Sequence, residues 1–401
     1  VNSTPQEVVP VASGHQTAPG SQTSLREQNS QRILDGVRTF GAITQVELAA
    51  ATGLSPATVS NIVKQLESEG QLVTSATTRS GRRAQQVSLA RNSALSFGVR
   101  IGARALSAYL GDASHTVQHA RHLPLPHEHR YDTTLDRVAL LVGEATEEVG
   151  ASLDDVATIG VALPDVLSAQ LTAGSLPGWE EVDVAETLSR RLDRPVVLER
   201  QADAAAVAEY RFGALRGADV ALYIRVGDGV EASLLLDGRP HRGRSAAVGA
   251  LGHVQVDPAG AMCRCGARGC LNTVLSPIAL ADLLRLSHGP MGLRQIIQAA
   301  NRGDAGCRQV IADGAAALGR VVANTAMVLG PDRILVSGEL SETGRLLLDP
   351  VREALDARTL LGYVDDLLVD PQLGRDAEAM GASALAHDGA GLPVVSGRSA
   401  T

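Results

Sequence analysis

The chain has 401 residues, 44% of them hydrophobic, which is enough for two or three folded domains and too apolar for a wholly disordered protein. Aromatic residues make up only 2%, so the cores must be built from Ala, Val, Leu and Ile. The net charge of −8 argues against a chain that binds nucleic acid along its whole length, and no apolar run reaches the roughly 18 residues of a membrane helix.

Residues 1–24 are rich in Pro, Gly, Ser and Gln and lack the apolar stretch of a signal peptide, so they read as the disordered tail of a cytoplasmic protein. Residues 25–92 differ in charge from the rest. They hold eight basic side chains (Arg26, Arg32, Arg38, Lys64, Arg79, Arg82, Arg83, Arg91) and five acidic ones, a balance of +3 against −11 for the remainder. A basic module on an acidic body fits a local DNA-binding surface. A first helix carries Ile33, Leu34, Val37 and Phe40 on one face. Thr44 is placed to cap a second helix, which stops at Gly53, a residue that tolerates positive φ. Leu54 packs in the turn, Ser55 caps a third helix, and Pro56 takes its first position, where a missing N–H costs nothing. Val59, Ile62, Val63 and Leu66 recur at helical spacing and should face the core. Ser55 and the opposite face, with Ala57, Thr58, Ser60, Asn61 and Lys64, offer small or hydrogen-bonding groups able to approach base edges and phosphates in a major groove.

Two apolar segments, Leu72-Val73 and Val87-Ser88-Leu89, then bracket Arg79-Ser80-Gly81-Arg82-Arg83. Strands around a Gly-containing basic tip describe a wing, whose Arg79, Arg82 and Arg83 can contact phosphates or enter a narrow minor groove. The competing account of residues 25–92 is a helical hairpin used for protein contacts, with a solvated basic loop.

From 93 to 388 strands and helices alternate, as in an α/β domain. Strands are predicted at 96–101, 105–111, 157–163, 195–198, 219–226, 231–237 and 332–337. Helices are predicted at 134–149, 202–212, 276–286, 304–329, 344–357 and 375–387. Residues 389–401 read as a second flexible tail. Within this domain, His253 precedes Cys263, Cys265 and Cys270. One nitrogen and three sulfur ligands suit a tetrahedral Zn2+, and a full set with no open position is structural rather than catalytic. The alternative is three buried free thiols. Cys307, on a predicted helix, reads as a core thiol.

These segments together resemble the ROK family (repressor, open reading frame, kinase), and in particular its repressor branch. The resemblance rests on the winged helix and the metal segment, on Gly160-Val161-Ala162-Leu163-Pro164, on Leu176-Pro177-Gly178-Trp179, and on the run from Glu199 to Glu209. It covers nearly all of residues 25–390. It implies a two-lobed, actin-like and ribonuclease-H-like α/β body after the winged helix-turn-helix. It also implies a structural zinc, homodimers or homotetramers, and a sugar effector that changes affinity for a DNA operator.

Several positions depart from that resemblance. The family's kinases open with Asp-x-Gly-Gly-Thr, whereas this chain has Arg100-Ile101-Gly102-Ala103-Arg104. The carboxylate that holds magnesium and part of the phosphate cradle are gone. Gln201 stands where the kinases keep their general base, and an amide cannot accept a sugar hydroxyl proton at neutral pH. The second phosphate loop, Gly227-Asp228-Gly229-Val230-Glu231, adds carboxylates that repel a nucleotide. No catalytic residue is therefore expected. The positions that contact sugar in the family are here Ser175, Arg200 with Gln201, Ala250, His253 and Asn272. Ser175, Arg200, Gln201, His253 and Asn272 remain as candidate effector contacts, and Arg200 favours an anionic ligand. Three functions stay open: a regulator switched by a small molecule, a regulator controlled by a protein partner, and a sugar kinase with a DNA-binding arm.

Overall fold

The computed structural model describes residues 29–30, 32–34, 36–37, 43–68, 72–79, 82–89, 95–111, 117–126, 128–164, 176–179, 181–243, 248–358, 360 and 364–389. The tail at 1–24, nearly all of that at 389–401, Phe40 and Ser175 lie outside these residues. The chain divides into two compact units, residues 1–92 and 93–401.

In the first unit, β1 (Ile43–Thr44) leads into α1 (Gln45–Thr52), then α2 (Pro56–Ser68), β2 (Leu72–Arg79) and β3 (Arg82–Leu89). Thr44 and Glu47 form a reciprocal capping box: the Thr44 hydroxyl accepts from the Glu47 N–H, and the Thr44 N–H donates to the Glu47 carboxylate at 3.0 Å. Gly53 takes φ +69°, the left-handed conformation that ends α1. β3 lies between β1 and β2, and the antiparallel register runs from Leu72 opposite Leu89 to Arg79 opposite Arg82. Ile33, Val37, Leu48, Val59, Val63, Leu66, Leu72 and Val87 close one core, with Leu54 packed on its edge.

The second unit repeats one sheet plan twice. The first sheet comprises β4 (Leu95–Ile101), β5 (Ala105–Gly111), β6 (Val117–Pro124), β7 (Val156–Leu163) and β8 (Val196–Arg200), in the order β6-β5-β4-β7-β8. The second comprises β9 (Val220–Val226), β10 (Val230–Leu236), β11 (Arg239–Pro240), β12 (Arg333–Ser337) and β13 (Leu368–Val369), in the order β11-β10-β9-β12-β13. Each has an antiparallel meander on one side and parallel strands on the other. On the first sheet, α3 (Tyr131–Glu148) and α4 (Val184–Leu192) bury Leu135, Val138, Val142 and Leu188. α5 (Gln201–Phe212) follows β8 directly. In the second half, α6 (Pro277–His288), α7 (Leu293–Asn301), α8 (Ala305–Leu329) and α9 (Arg345–Asp356) enclose a core that includes Cys307. α10 (Ala377–His387) ends the described chain.

α5 and α10 pack against one another between the sheets, α10 against β4 and β7, α5 against β9 and β10. Small residues permit this. A Cβ on Gly381 would fall 1.7 Å from the Ala204 carbonyl oxygen, one on Gly98 1.9 Å from that of Ala379, and one on Gly160 2.0 Å from that of Ala382. Glycine is the residue that allows helix backbone to approach sheet so closely. The paucity of aromatic residues is thus matched by an alanine and glycine spine. β6, α4 and α7 are elements that sequence patterning did not anticipate.

A candidate DNA-binding helix, a cysteine-histidine cluster and the candidate effector residues

The inner stripe of α2 is buried as its spacing requires, through Val59, Ile62, Val63 and Leu66. Ala57, Asn61 and Lys64 are exposed, and Thr58 and Ser60 are half-buried. The Ser55 hydroxyl accepts from the Thr58 N–H at 3.1 Å and lies 2.8 Å from the Thr58 hydroxyl, so these two groups hold the helix start. Ala57, Ser60, Asn61 and Lys64 are left on the outward side of the helix. Gln65 is also exposed on α2, and nothing in the periodicity singled it out. Arg79, Arg82 and Arg83 stand at the tip end of the β2–β3 ribbon by backbone register; their side chains lie outside the described part.

His253, Cys263, Cys265 and Cys270 come together with one potential ligand atom each, all within 4.8 Å of one another. His253 ends a short 3-10 turn, and the intervening loop folds back so that Gln255 bridges to Cys270 and Met262 to Arg268. Gly269 sits at φ +67°, with its Cα facing the Asp257 backbone so closely that a Cβ would lie 1.5 Å from the Asp257 carbonyl oxygen. The Cys265 and Cys270 sulfurs are 3.7 Å apart, and Cys263 Sγ is 3.5 Å from His253 Nδ1. A tetrahedral ion with bonds of about 2.3 Å to sulfur and about 2.0 Å to nitrogen has S···S edges of about 3.8 Å and S···N edges of about 3.5 Å. The donor set and its spacing therefore fit a zinc ion. Burial, with the neighbouring thiols, pushes the Cys270 thiol up to about 12.

Four of the five candidate effector residues are described, and each makes contacts within the protein. Arg200 grips Asp203 through Nε and Nη2 at 2.9 and 2.7 Å, and donates from Nη1 to the Val248 carbonyl at 2.7 Å. Asp203 in turn accepts from the Ser233 hydroxyl. Gln201 donates to the Ile101 carbonyl at 3.0 Å, and Asn272 accepts from the Val230 N–H at 2.8 Å. His253 belongs to the sulfur cluster. The positive charge of Arg200, which favoured an anion, is thus neutralised by a buried carboxylate. Beside it, fully buried Glu199 meets Arg242 at 2.6 Å; burial pushes Glu199 up to about 8 against the pull of that guanidinium.

The former phosphate side is also filled from within. Arg100 Nη2 lies 2.8 Å from Glu339 Oε1, and Asp228 stands 3.9 Å away. Arg225, buried on β9, donates to the same Glu339 at 3.0 Å and to Glu378 of α10 at 3.0 Å. Neither Arg225 nor Glu378 was singled out by motif. Their partners lie far away in sequence, so no local pattern could reveal them.

The ROK family model matches residues 96–389, and a winged helix-turn-helix DNA-binding model matches residues 31–73. The chain belongs to the ROK family. It is 27% identical over 390 residues to the DNA-binding transcriptional dual regulator NagC of Escherichia coli (strain K12), covering 93% of this chain and 95% of that protein. It is 24% identical over 375 residues to the xylose repressor of Bacillus subtilis (strain 168), covering 92% and 97%. The crystal structure of a ROK family transcriptional regulator, a homologue of the E. coli MLC protein, superposes with a TM-score of 0.70 at 25% identity, covering 91% of this chain and 98% of that one. The chain is accordingly a DNA-binding transcriptional regulator with a kinase-like body, and not an enzyme. Among the described residues no helix is long and apolar enough to cross a membrane.

Proposed function

We propose that this ROK regulator is a cytoplasmic repressor that binds a palindromic operator as a homodimer or homotetramer, with Zn2+ held by His253, Cys263, Cys265 and Cys270. The observation that supports operator binding is the outer face of α2: Ala57, Ser60, Asn61 and Lys64 project from a helix whose other side is locked in the core. Asn61 is the natural reader of a base edge and Lys64 of a phosphate, and the arginines at the wing end add phosphate contacts. Two copies joined through the body would set two such helices on successive major grooves. A gel shift on the promoter region of the protein's own gene tests this; absence of sequence-specific binding at moderate salt would sink it.

The zinc is structural: four protein ligands leave no open position, and the ion would fix the loop from 253 to 270 against the body. Metal analysis of protein purified without chelator should find one zinc per chain, and Cys265→Ser should lose it. A protein free of zinc would refute the ligand set.

The repressor names of the relatives point to a small-molecule effector bound in the cleft. One observation favours a second reading, control by a protein partner: Arg200, Asn272 and His253 are committed to internal contacts, and Gln201 donates to Ile101, with only its buried Oε1 left unpartnered among these contacts. A thermal-shift screen of sugars, sugar phosphates and nucleotides separates the two, since a true effector raises the melting temperature by mass action.

A further inference from the structure

The two lobes of the body are joined by the α5–α10 spine, and a charged contact also crosses between their sheets. Arg100 closes β4 of the first sheet; Glu339 follows β12 and Asp228 sits in the β9–β10 turn of the second. We propose that Arg100 and Glu339 form a latch between the lobes that sets the angle between them.

Four observations carry this. Arg100 is buried, and among the described residues the carboxylates it reaches lie on the opposite lobe, Glu339 at 2.8 Å and Asp228 at 3.9 Å. Glu339 is backed by the buried Arg225, which Glu378 ties to α10, so the receiving side of the latch is anchored on the spine itself. Burial pushes Glu339 up, and the two guanidinium groups more than reverse that, holding it well below the usual carboxylate range. Glycine stands where the pair crosses on each side. A Cβ on Gly102 would lie 2.7 Å from the Arg100 guanidinium, and one on Gly227 2.0 Å from the Glu339 carboxylate. A charge-assisted contact of this kind at the rim, with a smooth alanine and glycine packing behind it, is positioned to govern how far the lobes part.

The latch is a property of the body and its test needs no DNA, so it stands or falls separately from operator binding. The full chain is prepared as the parent, Arg100→Met, Glu339→Gln, the double variant, and Gly227→Ala. The last leaves every charge in place and displaces the Glu339 carboxylate together with the Arg225 guanidinium that backs it. Backbone hydrogen exchange is followed at residues 100–105 and 338–343, with small-angle scattering of the same samples. Each single charge variant should speed exchange there roughly ten-fold and enlarge the radius of gyration, with the double variant no faster than either single one. Gly227→Ala should do the same. Unchanged exchange and radius in the variants, or a double variant equal to the product of two independent effects, would overturn the proposal. If Arg100→Met does not fold, Glu339→Gln and Gly227→Ala together decide.

Discussion

Replacing Gly160 by Ala adds one methyl group, and its consequence follows from where that group would sit. Gly160 lies on β7, and the new Cβ would be 2.0 Å from the Ala382 carbonyl oxygen and 2.5 Å from its carbon, with the Ala386 methyl at 3.1 Å. Ordinary contact begins at 3.4 Å, so α10 must back away from the sheet by more than about 1 Å. The obstacle is backbone, which no rotamer change can relieve. The helix cannot shift freely, because Gly381 holds it against α5 on its other side. Overpacking of this kind costs about 1–3 kcal/mol, and the rigid surroundings put Gly160→Ala at the upper end, near 3 kcal/mol, or a melting temperature lower by about 5–10 °C. The matching control is Gly143→Ala in α3, where nothing lies within 4 Å of the new methyl. There the same substitution should stabilise by about 0.5–1 kcal/mol through better helix propensity. Circular dichroism melts of the two variants beside the parent decide the matter. A Gly160→Ala protein that melts with the parent, or a pair shifted in the same direction, would refute the account of the spine.

Other outcomes follow from the sites. Asn61→Ala should cost about 1–3 kcal/mol on the operator and relax its sequence preference, whereas Lys64→Ala should weaken binding to all sequences and reduce the slope of log K against log salt by about 1; fluorescence anisotropy over a salt series measures both. Glu199 is pushed up to about 8 in the fold from an ordinary value of 4.5, so its contribution to stability is complete below that ordinary value and is lost as pH rises through about 8. The parent should therefore lose more melting temperature than Glu199→Gln between pH 5 and pH 9, on the order of several degrees; parallel curves would show that the burial does not act as described. Removal of metal by a strong chelator should lower the melting temperature of the body, with recovery on adding zinc; no change would contradict a structural ion.

What could be read in advance divides along physical lines. The α2 stripe was legible because one face of a helix repeats every 3.6 residues and Ser55-Pro56 marks its start. The sulfur cluster was legible because its four ligands fall within eighteen residues of chain. β6 was not, since an edge strand with Gln118, His119, Arg121 and His122 shows no apolar run. α4 carried its own signal, an Asp183 cap followed by Val184, Leu188 and Leu192, but it is only nine residues long. The state of the cleft was half legible. Loss of the kinase residues stands in the sequence, and Arg200 with Asp203 is an i, i+3 pair that could have been noticed. The Arg100–Glu339 contact joins residues 239 apart, and only the pairing of β4 with its sheet and of β12 with another brings them within reach.

The acidic filling of the nucleotide side has an implication for the cell. Where a kinase of this fold would present amides and a metal ion to polyphosphate, this body presents Glu339 and Asp228, with both nearby guanidinium groups already engaged. ATP and ADP are present in every growing cell, and a regulator that retained affinity for them would report energy charge along with its own signal. The carboxylates here predict weak binding of ATP and ADP, which calorimetry on the full chain would check. A regulator of that kind would have its operator occupancy set apart from the adenylate pool.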